Sequence, residues 1–386
     1  MKHTKLTLAL IATLGLTACN DGDQGTNGLN SLIASETLVL GNDECFFGGL
    51  KVTSGLDTDN DNVLADAEVT STSSNCNVNP VSTSGSPLPY TVMRSDIDNG
   101  AMSGSFMEIR NGGYGSDMVA HPTEPTRFYA LTDRGPNATF TGEQGKGKIF
   151  PTPDYTPRIG LFELQENGDV KKIKDILLKR PDGIPITGLP NTAALGGTGE
   201  TPYDADGNVI VEDMNLPFDE TSNPIKLDDY GLDGEGIVAL SDGTFWISDK
   251  YGPHIVHFNA DGVEIGRINA FATDTRNTFT LPAEFANRSA NRGMEGLAIT
   301  PDEKTLVGIM QSTMYNPSKA VKVNDIVRIV TVDLADGTVS QYLYKQEKTQ
   351  NSQSGIVALS NTEFVVIGVM VAFIMKILRN EASVQH

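Results

Sequence analysis

Eight charged residues of this chain stand where strands should end, in neighbouring acid and base sets: Asp133-Arg134, Asp233 with Glu235, Asp249-Lys250, and Arg292 with Glu295. Carboxylates gathered in one place can hold Ca²⁺ in a partly hydrated shell, while Arg and Lys clamp phosphate oxygens. A metal-bound water is then the natural nucleophile, because the metal lowers its pKa and offsets phosphate charge. On this reading Asp233, Glu235, Asp249 and Glu295 are the catalytic candidates. Arg134, Lys250 and Arg292 bind the substrate, and Asp133 helps to hold the ion. The structural alternative is that acids at turn entrances cap backbone amides and that Asp-Lys and Asp-Arg neighbours merely position loops.

A second group of acids has another spacing. Asp57, Asp59 and Asp61 take positions 1, 3 and 5 of a stretch in which Val63 is position 7 and Glu68 position 12. That is the ligand order of an EF-hand loop: close carboxylates on a tight turn, one backbone carbonyl, and a bidentate carboxylate from the far side. Asn62 stands where Gly is usual, a tolerable departure because Asn also enters left-handed conformations. The flanks are Gly-, Thr- and Ser-rich rather than helical. Cys45 and Cys76 bracket the loop, and in an oxidising compartment two such thiols pair. The expectation over 41–80 is a small disulfide-closed module binding Ca²⁺ in a structural role.

A recurring hairpin is what would bring the eight charged residues together. Ile237 to Leu240, a Ser-Asp-Gly turn and Phe245 to Ile247 make one copy, with an acidic entrance and a charged Asp249-Lys250 exit. Residues 115–134, 292–310 and 353–367 repeat the pattern. A hairpin that returns four times cannot bury its own face, so such units stack around a shared core. Their irregular spacing, about 60 and about 120 residues, fits β-propeller blades with weaker copies between the clear ones. Strand-end groups recurring from blade to blade converge on one face near the central channel. Ile159–Leu164 and Val170–Ile173 form a further hairpin, 179–229 reads as a blade insertion or functional loop, and helix signals are confined to the neighbourhood of 282–287. The fold class is all-β, a propeller over 89–367.

At these residues the chain resembles a known family. Leu131-Thr-Asp-Arg-Gly-Pro-Asn137, Gly231-Leu-Asp-Gly-Glu-Gly-Ile237, Ile247-Ser-Asp-Lys-Tyr-Gly252 and Asn291-Arg-Gly-Met-Glu-Gly-Leu297 look like the signature segments of bacterial phytase-like proteins, labelled "esterase-like activity of phytase". The resemblance covers about Pro89 to Ile367 and implies a β-propeller that hydrolyses phosphoric or carboxylic esters. The short Cys-flanked, Asp-rich stretch is similar to repeats near the N-termini of bacterial surface lipoproteins.

Bulk properties narrow the partners. Among 386 residues, 49 Asp and Glu against 29 Lys and Arg give a net charge of −20, and this argues against nucleic acid, which is bound through basic patches. Met1 to Lys5 is basic, Leu6 to Leu16 apolar, and Leu16-Thr-Ala-Cys19 matches a lipobox. Residues 1–18 are therefore expected to be removed, Cys19 to be acylated and to anchor a monomer in a bilayer of the bacterial cell envelope, and 19–40 to be a flexible tether. No G-x-S-x-G is present, and His254 and His257, three apart on an extended chain, fall on opposite faces and suit packing rather than zinc. The apolar run Phe364–Leu378 has 15 residues, about 22 Å as a helix and short of the roughly 30 Å of a bilayer core. The tail 368–386 is expected to depart from the blade pattern, through a frameshift or truncation that leaves the propeller incomplete. The function expected is phosphoester hydrolysis with Ca²⁺-assisted attack of water at the channel face. The alternative is a non-catalytic propeller presenting that face to a glycan, a peptide or another partner.

Overall fold

A computed structural model describes residues 28–81, 85–98, 106–349, 351–368 and 371–376. Among them are strands, turns and short 3-10 segments, with no α-helix. The N-terminal module is a meander of β1 (Asn30–Leu40), β2 (Phe47–Asp57) and β3 (Val69–Cys76), in that order. Cys45 and Cys76 are bonded as expected, with Cα atoms 5.2 Å apart. The tether expected over 19–40 is corrected from Asn30 onward, where Ser-Leu-Ile-Ala-Ser-Glu-Thr-Leu-Val-Leu pairs along the whole of β2. Its β-branched and apolar residues favour the extended, half-covered state.

After it come β4 (Val92–Asp98) and β5 (Phe106–Arg110), paired with each other, then β6 (Asp117–Ala120) and β7 (Arg127–Leu131). A hairpin of β8 (Ala138–Gly142) and β9 (Gly145–Ile149) precedes β10 (Arg158–Leu164), β11 (Val170–Leu177) and β12 (Thr201–Tyr203). Four strands in the order β11-β10-β7-β6 make one blade. The second blade is β13 (Gly234–Ala239), β14 (Phe245–Asp249), β15 (His254–Phe258), β16 (Glu264–Asn269) and β17 (Asn277–Thr280). The third is β18 (Met294–Ile299), β19 (Thr305–Met310), β20 (Ile326–Asp333) and β21 (Val339–Lys345); the fourth is β22 (Gln353–Ala358), β23 (Glu363–Gly368) and β24 (Val371–Lys376). Innermost strands β6, β13, β18 and β22 stand side by side in that order, so the blades fan out around one axis as in a propeller.

Two expectations are corrected here. No weaker blade lies between the first two clear copies, because β6 packs directly beside β13. Of the intervening chain, β10 and β11 complete the first blade, and β12 adds in parallel to β9. Nor does the chain leave the blade pattern at 368: Val371–Lys376 pairs antiparallel with β23, whose open edge offers the backbone partners that a β-branched segment accepts.

Apolar side chains fill the gaps between blades. One cluster joins the second and third blades through Val238, Ile255, Leu297, Ile309 and Ile329; another joins the first and second through Leu131, Ile159, Ile237 and Ile247. Gly236 and Gly296 explain why the inner-strand motif carries Gly. A Cβ on Gly236 would lie 2.6 Å from the backbone nitrogen of Leu297, and one on Gly296 would lie 2.9 Å from the Cα of Gly355. Neighbouring inner strands thus touch main chain to main chain.

Candidate functional site

Each of three inner strands begins with a one-residue β-bulge. Gly234 pairs with Asp249 and Gly236 with Ser248, leaving Glu235 extra; Glu295 and Ser354 are the extra residues of β18 and β22. A bulge re-aims the side chain of its extra residue out of the ladder. Both bulge carboxylates meet the same cation: Lys250 Nζ donates to Glu235 Oε1 at 2.6 Å and lies 3.9 Å from Glu295 Oε2.

A ladder of main-chain bonds holds these three groups. The Lys250 amide donates to Asp233 O at 2.9 Å, Gly293 to Lys250 O at 2.8 Å, Gln311 to Gly293 O at 3.0 Å and Gln353 to Gln311 O at 2.9 Å. The bonds step from the second blade to the third and on to the fourth along the ends of the inner strands.

Electrostatically this is a crowded place. Burial, with Asp233 and Glu295 nearby, pushes the Glu235 carboxyl up to about 8. Burial also raises Glu295, with the Lys250 charge opposing. For Lys250 burial works against the charge, yet the hydrogen-bonded Glu235, then Glu295 and Asp233, leave its pKa above the ordinary value. One ammonium faces two buried carboxylates, so it neutralises one, and the other is favoured in its protonated form at neutral pH. Glu295 Oε2 is buried without a hydrogen-bond partner.

The other expected residues are placed differently. Asp249 is fully buried, and its carboxylate accepts from the amides of Asp233 at 2.8 Å, Tyr251 at 3.2 Å and Gly252 at 3.3 Å. It organises the turn and is closed to a substrate; burial raises its carboxyl to about 7. Asp233 and Arg134 lock each other in the interior, 4% and 5% exposed with Arg134 Nε 3.6 Å from Asp233 Oδ2. Glu200 at 3.1 Å, Tyr251 Oη at 3.2 Å and Asn137 at 3.3 Å take further Arg134 N–H groups, so the guanidinium has no fork left for a phosphate. Asp133 is half-buried and accepts from the Gly135 amide at 2.8 Å. Arg292 is exposed, at the rim next to Glu295.

Sequence reasoning missed several participants. Tyr251 is buried between Arg134 and Gly188, donating to the carbonyl of Gly188 at 2.5 Å. Asp117, the first residue of β6, accepts from the Ile237 amide at 2.9 Å and ties the first inner strand to the second. Asp117 and Tyr251 both lie within the quoted motif copies, which makes them legible as positions though not as partners. His254 and His257 pack as expected: the first bonds the Leu195 carbonyl at 3.1 Å, and the second stacks on Trp246 with centroids 4.1 Å apart.

Cation ligation is supported elsewhere. Among the described residues, the acid group whose oxygens lie within 4.8 Å of one another is Asp57, Asp59 and Asp61, which could hold a metal. Asp57 accepts from the amides of Asp61 and Asn62, and Asn60 and Asn62 adopt φ of 60° and 62°, wrapping the turn. Glu68 departs from the EF-hand expectation: its oxygens accept from Thr58 N, Thr58 Oγ1 and Ala65 N at 2.5, 2.6 and 3.1 Å. The 3-10 turn Asp66–Glu68 brings that carboxylate to the loop backbone. Val63 donates its amide to Asp61 Oδ1, and the loop closes at that point. The donors around the axis do not fit a calcium shell, since Asp133, Asp233, Glu235 and Glu295 supply no such group of three and Lys250 stands between the two that approach.

Residues 109–368 match the family described as phytase-like, "esterase-like activity of phytase". The chain belongs to this family. The family is associated with hydrolysis, and the match runs from the end of β5 through β23, taking in every charged set around the axis. Residues 30–76 match a domain of unknown function, DUF7151, which coincides with the disulfide-closed module. An uncharacterized secreted protein of Arthroderma benhamiae is 28% identical over 215 residues; the match takes in 46% of this chain and only 38% of that relative. Among solved structures, a Lactobacillus plantarum protein aligns at 12% identity, covering 73% of both chains, with a TM-score of 0.30. A streptogramin B lyase aligns at 13% identity over 71% of this chain and 80% of its own, with a TM-score of 0.26. Virginiamycin B lyase from Staphylococcus aureus aligns at 10% identity over 91% and 90%, with a TM-score of 0.25. Likeness of this degree bears on neither site nor substrate. The bonded Cys45 and Cys76 of this phytase-like chain suit an oxidising, extracellular or envelope compartment.

Proposed function

We propose that this phytase-like propeller hydrolyses anionic esters, phosphoric esters first among them, at the bulge carboxylates. The observation that carries the reading is Lys250, half-buried between Glu235 and Glu295 at 2.6 and 3.9 Å. Two carboxyls sharing one ammonium hold different protonation states, the condition for general acid and general base in one site. Water attacks phosphorus as the unprotonated carboxylate takes its proton, and the bond to the leaving oxygen breaks as the protonated carboxyl supplies one. Lys250 and Arg292 offset the charge on the phosphoryl oxygens. Asp233, Asp249, Arg134 and Tyr251 hold the frame. Calcium belongs to this reading at Asp57, Asp59 and Asp61, as a structural ion in the module. No catalytic step is routed through it.

The chain acts as a monomer held at the cell envelope through acylated Cys19, which lies outside the described residues, and it does not take nucleic acid. Phosphate release from phytate and aryl phosphates tests the hydrolase. Wild type should turn over with or without chelator, and Glu235→Gln and Glu295→Gln should each lose roughly 10²-fold or more. Unchanged rates in both variants would show these acids to be framework, and activity lost in chelator would restore a metal mechanism.

A further inference from the structure

Beside the bulge carboxylates is a cavity of about 230 Å³ lined by Ser289, Arg292, Ser312, Thr313, Tyr315 and Lys322. Gly293 fixes its place. The Gly293 amide bonds Lys250 O and its carbonyl receives the Gln311 amide, so Arg292 and Ser312 are each one residue from the ladder that positions Lys250.

The lining is one-signed. Its two charged side chains are cations and no carboxylate is among them. In a chain at −20, most arginines are committed: Arg94, Arg110, Arg127, Arg134, Arg180, Arg267, Arg276 and Arg328 are all ion-paired. Among the described residues, neither Arg292 nor Lys322 has a carboxylate oxygen within the 4.0 Å of an ion pair, and both are exposed at this rim. Lys319 adds a third positive charge, with Nζ 5.9 Å from the Tyr315 ring centroid.

The hydroxyls also lean toward donation. Ser289 Oγ and Tyr315 Oη share one hydrogen bond at 2.8 Å, which leaves one of their two protons to point elsewhere. Thr313 Oγ1 spends its proton on the Asn324 carbonyl at 3.1 Å, and Ser312 keeps its own. A volume below the roughly 300 Å³ at which drug-sized sites begin admits a small group.

We infer that this cavity is an oxyanion subsite that seats a phosphoryl group, with Arg292 and Lys322 supplying charge and Ser312 and the Ser289–Tyr315 pair supplying neutral donors. It rests on the proposed hydrolase reading only in so far as the group seated is part of the substrate; binding itself is independent of turnover.

The test is calorimetric titration with inorganic phosphate and phenyl phosphate, with acetate as the monoanionic control. Wild type should bind both phosphates more tightly than acetate. The double variant Arg292→Gln, Lys322→Gln should bind phosphate at least tenfold more weakly, Ser312→Ala several-fold more weakly, and Lys348→Gln, a control for diffuse charge, the same as wild type. Circular dichroism melts confirm that each variant is folded. Phosphate affinity unchanged in the double variant, or lowered equally by Lys348→Gln, overturns the subsite. Phosphate binding that survives Glu235→Gln, in a protein that cleaves no ester, keeps the subsite and removes only the hydrolase.

Discussion

Glu235→Gln is the most informative single change, because it separates charge from shape. In the fold the Glu235 carboxyl is raised from 4.5 to about 8, by burial first and by Asp233 and Glu295 next. A raised carboxyl stabilises the fold below its unfolded pKa, and that contribution disappears as pH rises through the folded value. The wild type should therefore lose stability between about pH 4.5 and pH 8. At roughly 1.4 kcal/mol per pH unit the disfavour of the ionised form amounts to about 4 to 5 kcal/mol. Water at the rim and relaxation of the fold reduce what is observed, and a difference of at least about 2 kcal/mol should remain. For a domain of about 250 residues that is roughly 4 to 8 °C in Tm. Thermal melts of wild type and variant at intervals from pH 5 to pH 9 read it directly: the curves should diverge with rising pH, the Gln protein becoming the more stable. A Tm difference constant across that range would show that Glu235 does not titrate in the fold, and the acid–base role would go with it.

Three further outcomes follow from the geometry. Gly296→Ala places a Cβ 2.9 Å from the Cα of Gly355, and since backbone cannot step aside cheaply, chemical denaturation should show a loss of about 2 to 3 kcal/mol; a loss under 0.5 kcal/mol contradicts the close approach of the inner strands. Asp117, raised to about 6 by burial, should cost stability as pH rises from about 4 to 6, and Asp117→Asn should flatten that part of the profile in the same melts. Calcium at a hundredfold excess over its Kd should stabilise the N-terminal module by about 2.7 kcal/mol, read as added hydrogen-exchange protection over β1 to β3 of the whole chain, and Asp59→Asn should abolish the response; equal exchange with calcium and with chelator removes the ion site.

The hairpins were readable because apolar alternation and Ser-Asp-Gly or Pro-Asp turns act over a few residues, and the strands begin and end close to where those signals lie. Burial was not readable. Whether Asp249 is a catalyst or a turn organiser depends on three amides that converge on it, and whether Arg134 is free depends on Glu200 and Tyr251, one contributed by the long insertion and one by another blade. The same holds for the insertion itself, whose Gly188, Leu195 and Glu200 bond Tyr251, His254 and Arg134, partners that its own composition does not name. Glu235 and Glu295 were legible as acids before a glycine, but their aim comes from the bulge, a property of pairing with the next strand. At the N-terminus, the polar composition ahead of Asn30 masked a partnership of ten residue pairs that only β2 reveals.

The main-chain bonds that run from Asp233 to Gln353 have an evolutionary corollary. Amides and carbonyls are common to nearly every amino acid, so substitution at these positions can rewrite the chemistry around the axis without moving the axis. Relatives sharing this architecture are free to differ in what they cleave, or whether they cleave at all, while superimposing at the strand ends.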